Sequence, residues 1–156
     1  MRYAFFRAPD PAAVLAAFAA GPARHDPAAA FDARYPSGAE AGDVLDLLDE
    51  LLLPLPDTGL VERTVWPPTT RSPTCFAVPG DPWTTGPWAH QLSPAARDLL
   101  ARSPAGALRA LRPYGQAPPA AALAVLPVLA ALARRAAAAG EQLYYWLGAP
   151  PPSPPD

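Results

Sequence analysis

Short apolar runs and helical stripes follow one another along this chain, and their spacing predicts most of its elements. Tyr3–Phe6 is a brief aromatic run bounded by Pro9, which reads as a first strand. Asp10-Pro11 then offers an N-cap followed by proline at the first helical position. Val14, Leu15 and Phe18 draw the apolar stripe of that helix, and Gly21-Pro22 stops it. Residues 22–42, rich in Ala, Pro, Gly and Asp, read as a long surface connection with one helical turn at Ala28–Phe31. The clearest helix opens at Asp43. Its Val44, Leu47, Leu48, Leu51 and Leu52 recur at helical spacing, Asp46, Asp49 and Glu50 take the other side, and Pro54 and Pro56 end it.

The second half alternates in the same way. Leu60–Trp66 has the β-branched and aromatic content of a strand, closed by Pro67-Pro68, and Thr74–Val78 is a second short strand holding Cys75. Pro79–Gln91 reads as a Gly- and Pro-containing loop that carries Trp83 and Trp88. Ser93-Pro94 and Ser103-Pro104 repeat the cap-plus-proline signature, predicting two short helices at 94–102 and 104–112. Leu123–Ala139 is apolar nearly all round, the mark of a buried helix, with Pro127 at a kink or in its first turn and Gly140 as its carboxyl-terminal cap. Gln142–Leu147 is a final strand well inside the core, and the proline-rich residues 148–156 form a disordered tail. The prediction is a single α+β domain over 1–147, a small mixed or antiparallel sheet packed against several helices.

Composition narrows the function classes. A chain of 156 residues buries enough surface to fold without disulfide or metal, although alanine supplies much of its 51% apolar share. The net charge of −2 lacks the basic excess of a nucleic-acid binder, and all twelve basic residues are arginine. Arg134-Arg135 reads as a pair of cations closing a helix. One cysteine excludes an internal disulfide framework. The amino-terminal apolar run is too short for a signal-peptide core. The run Ala120–Ala133 falls short of the ~20 residues that span a bilayer. The expected location is therefore the cytoplasm, with no nucleic acid and no membrane as partner.

Several features fall in a familiar order. A leucine-rich acidic helix (Asp43–Leu53) precedes a strand that runs into a Gly-containing loop, Phe76-Ala77-Val78 to Gly86-Pro87. Leu92-Ser93-Pro94 then opens a helix with Leu99-Leu100, a late helix ends in Ala136–Glu141, and the aromatic strand Leu143–Leu147 closes the series. Over residues 43–147 this resembles the YfbM-like family, small bacterial α+β proteins of unknown function. Ala95 and Ala96 stand where that family commonly has acidic residues. The resemblance implies the fold and brings no catalytic residue; some family members look like immunity or partner-binding proteins.

The chemistry-bearing residues are few. Cys75 and His90, with Asp81 to orient the imidazole, are the one set that suits a thiol nucleophile and its base. A cysteine flanked by Phe76 equally suits a small buried hydrophobe. His25, His90 and Cys75 lack the spacing of a metal site, and no phosphate loop or nucleophile elbow occurs, so no metal or cofactor is expected. Trp83 and Trp88 among Gly and Pro are either a lid on the core or anchors for a partner or ring-shaped ligand. The expected function is non-enzymatic binding of a macromolecular partner. The binding residues are Trp83, Trp88 and His90, with the acidic face of Asp46, Asp49 and Glu50 nearby. The alternative is a small enzyme or small-molecule binder with a pocket near Cys75 and His90.

Overall fold

The computed structural model describes residues 2–21, 25–55, 58–68, 83 and 86–148. The predicted strand at 74–78 with Cys75, together with Asp81 and the tail beyond Gly148, lies outside the described residues. Among the described residues five strands form one antiparallel sheet: β1 (Tyr3–Ala8), β2 (Asp32–Arg34), β3 (Val61–Trp66), β4 (Trp88–Leu92) and β5 (Gln142–Leu147). Their order is β2-β1-β5-β4-β3. The helices are α1 (Pro11–Ala19), α2 (Ala41–Leu52), α3 (Pro94–Arg102), α4 (Ala105–Arg109) and α5 (Ala120–Ala139). The domain is therefore mixed α+β, as its pattern predicts.

β5 takes the centre because it is apolar on both sides. Leu143 and Tyr145 point to one face and Tyr144 and Trp146 to the other, all four buried. On the first face α2, α3, α4 and α5 pack a core of Tyr3, Phe5, Leu47, Leu48, Leu92, Leu100 and Leu126. On the second face α1 buries Val14 and Phe18, with Leu15 and Ala17 partly buried beside them, against Phe6, Val65, Tyr144 and Trp146. The sheet is thus the middle of three layers, one helix thick on one side.

Local chemistry explains the element ends. The Asp10 carboxylate accepts from the Ala13 N–H at 2.8 Å and the Ser93 hydroxyl from Ala96 at 3.3 Å, capping α1 and α3. Ser103 has another job than the expected cap: its hydroxyl donates to the Leu99 carbonyl at 2.7 Å, and α4 runs only over Ala105–Arg109. Pro127 sits in the interior of α5, where it withdraws one backbone donor without interrupting the helix. Gly140 ends α5 at φ 69, and the Glu141 N–H closes onto the Ala136 carbonyl at 2.8 Å.

α5 is a correction to the sequence reading in length. Its 20 residues are enough, by length and composition, to cross a bilayer. Within this domain eight of them, from Ala122 to Ala136, are buried against the sheet and the other helices. Arg135 does not cap the helix end, which comes at Ala139; it reaches across to β2. There the Asp32 carboxylate accepts from Arg7 at 3.1 Å and Arg135 at 2.9 Å and pairs with Arg34 at 2.7 Å, while Arg7 also binds Glu141 at 2.6 Å. Burial alone would raise the Asp32 carboxyl. The hydrogen bonds from Arg135 and Arg7 outweigh it and hold the pKa below the usual value. This network ties the short edge strand β2, which the sequence reading missed, to α5 and to the start of β5.

Candidate functional site

β4 begins where a loop was expected. Trp88–Leu92 pairs with β3 on one side and β5 on the other, so Trp88 and His90 stand on an internal strand rather than in the expected Gly- and Pro-containing loop. Two-residue alternation sends His90 and Leu92 to the helix-rich face and Ala89 and Gln91 to the α1 face. The β4 segment itself is polar enough (Ala-His-Gln) to hide this from a pattern reading.

Trp88 is half-buried, and its ring folds back over Gly86. A Cβ at Gly86 would meet the Trp88 ring at 2.7 Å, and the backbone there has φ +68. Both facts require glycine: the indole occupies the space a side chain would fill, and the left-handed backbone disfavours one. The ring therefore rests over the Gly86 backbone while part of the residue still faces solvent.

His90 lies two residues on along the same face. Its ring stacks on Tyr145 at 6.3 Å between centroids with 20° between planes, and a 3.1 Å hydrogen bond joins its Nδ1 to the Thr64 hydroxyl. Burial pushes its pKa below the usual 6.5, so the imidazole is neutral at neutral pH and its ring is held by Thr64 and Tyr145. Burial also raises the Tyr145 phenol. Among the described residues no carboxylate is bonded to His90 and no group of three metal-ligating side chains assembles.

The other aromatic residues of this sheet end serve the opposite face. Between Thr64 and Trp66 the β3–β4 register shifts, so Val65 and Trp66 both pack on the α1 side while Thr64 faces His90. The Trp66 ring meets His25 at 5.1 Å and Phe18 edge-on at 5.9 Å. Trp83 is half-buried.

The acidic candidates belong elsewhere. Asp46 and Asp43 line a cleft of about 120 Å³ against Pro113, Gln116 and Pro119. Partial burial and the neighbouring Asp46 raise the Asp49 carboxyl, and Glu50 is half-buried on the same helix. No hydrogen bond, ion pair or ring contact joins Asp46, Asp49 or Glu50 to Trp88 or His90. Sequence reasoning missed Thr64 and Tyr145 as the partners of His90. Strand pairing sets both contacts, and only the aromatic run 144–146 hinted at one of them.

Comparison with known protein families, with curated proteins and with solved structures found no match for this chain.

Proposed function

We propose that this protein is a non-enzymatic binding protein that recognises a macromolecular partner, in an immunity-like or regulatory role, through the face carrying Trp88 and His90. The observation that supports it is the partly exposed Trp88, whose ring lies over Gly86. A tryptophan presents a large apolar surface with only two side-chain torsions to order on contact, which is what makes such a side chain an anchor. The net charge of −2 adds a general attraction for a basic partner. Kinship with the YfbM-like proteins belongs to the same proposal and rests on the order of elements over 43–147.

The test is Trp88→Ala, read by chemical denaturation and by capture from the native host's lysate. A half-buried ring should cost well under the ~3–5 kcal/mol of a fully buried tryptophan, while loss of an anchor weakens binding by ~2 kcal/mol or more. Early unfolding with no partner lost would make the ring a core lid and end the proposal. One observation favours the second reading, a small-molecule or thiol site near Cys75 and His90: the imidazole is neutral and oriented by Thr64. Rapid modification of Cys75 by a thiol reagent at neutral pH, slowed in His90→Gln, would favour that reading.

A further inference from the structure

At the far edge of the sheet a groove of about 270 Å³ opens between the chain leaving β2 and the start of α5. Its α5 wall is apolar. Ala121 and Ala124 are too small to fill it, Val125 and Leu129 form its floor, and Val128 is 44% exposed beside them. The opposite wall is Arg34 to Ser37, with the Tyr35 ring fixed by a hydrogen bond to Asp26 and by Arg2 stacked over it at 4.1 Å. The volume lies just below the ~300–1,000 Å³ of drug-sized ligand sites, so it suits a short chain.

The charge at one end of this groove is not balanced. Arg7, Arg34 and Arg135 gather around Asp32 and Glu141, three guanidinium groups against two carboxylates. Arg34 is the most exposed of the three, at 44%, and lines the groove; its Nη1 goes to Asp32 at 2.7 Å and to the Ala33 carbonyl at 2.8 Å, and its Nε and Nη2 have no bonded partner among the described residues. Strand addition at β2 is disfavoured, because the edge is three residues long, carries Asp32 and Arg34, and runs into Pro36. An apolar trough ending at a guanidinium with Nε and Nη2 still to bond matches an apolar chain with one terminal anion.

We propose that the groove between residues 34–37 and α5 binds a short free aliphatic carboxylate, its chain along Ala121, Ala124 and Val128 and its carboxylate on Arg34. The site is independent of the Trp88 face. Titration calorimetry of the full chain with hexanoate, 1-hexanol and hexylamine tests it, alongside Ala124→Phe and Arg34→Gln, with circular dichroism to confirm their fold. Ala124 is exposed, so phenylalanine fills the groove without entering the core. Hexanoate should bind in preference to the alcohol and the amine. Arg34→Gln should weaken it roughly tenfold, as loss of a charge-assisted contact does, and Ala124→Phe should abolish it. The proposal is overturned by equal binding of hexanol, by no hexanoate binding, or by unchanged affinity in Ala124→Phe. Binding of a short peptide ending in leucine without binding of hexanoate would make the groove a peptide anchor and overturn it as well.

Discussion

Tyr144 carries the sharpest energetic expectation. It is fully buried at the centre of the sheet, stacked on Phe6 at 5.0 Å and paired across the strands with Gln91. Its ring is well packed, but among the described residues its hydroxyl has no hydrogen-bond partner, and neither does the buried Oε1 of Gln91 opposite it. Burial, with Asp10 adding to it and Arg63 opposing, pushes the phenol up to about 12, so the group stays neutral and offers an unused donor. Tyr144→Phe keeps the ring and its stacking and deletes only that donor. An unsatisfied buried polar group costs about 1–3 kcal/mol, so the variant should be more stable by up to that amount. For a domain of this size each kcal/mol moves Tm by roughly 2–4 °C, a shift that differential scanning calorimetry resolves easily. A loss of 1 kcal/mol or more would refute the reasoning, because it would mean that the hydroxyl is satisfied in solution.

Asp32→Ala should leave Arg34 and Arg135 without their carboxylate and Arg7 with Glu141 alone; lying between exposed and buried ion pairs, it should cost about 1–3 kcal/mol by urea denaturation. Because the folded Asp32 pKa lies below its ordinary value of 3.8, its contribution is present above that value and is lost as pH falls through the lower folded pKa, so the variant's stability should fall less steeply in strong acid. His90 titrates in another window. Its folded pKa lies below 6.5, the unfolded chain binds the proton first, and stability should decline as pH drops from 6.5 toward the folded value; a pH series in which His90→Gln keeps the same slope would contradict this. Gly86→Ala should lose about 1–2 kcal/mol to the left-handed backbone, plus the cost of moving the Trp88 ring, and should shift tryptophan emission; unchanged emission would show that the ring does not rest on Gly86.

Elements with a strong period of their own were legible. α2 shows its leucine stripe, β5 its apolar run, and α1 and α3 their caps, and each appears close to its expected limits. What escaped depends on partners distant in sequence. Asp32-Ala33-Arg34 has no strand pattern and exists because three arginines and β1 hold it. Trp88–Leu92 is strand because β3 and β5 flank it, which a Gly-Pro start and a His-Gln pair conceal. The site was legible only as a set of residues. His90 and Trp88 share a face, whereas the bulge in β3 sends Trp66 to the other side, and Asp43 and Asp46 of α2 turn toward residues 113–119.

The most direct test of the binding proposal is a hydrogen-exchange footprint of the protein in complex with the partner it captures. Protection should rise on Thr64–Trp66 and Gly86–Gln91 and leave α2 unchanged, because the proposal makes Trp88 over Gly86 and the Thr64–His90 pair the contact face. Protection confined to α2 and residues 113–119, with 86–91 exchanging as in the free protein, would contradict it.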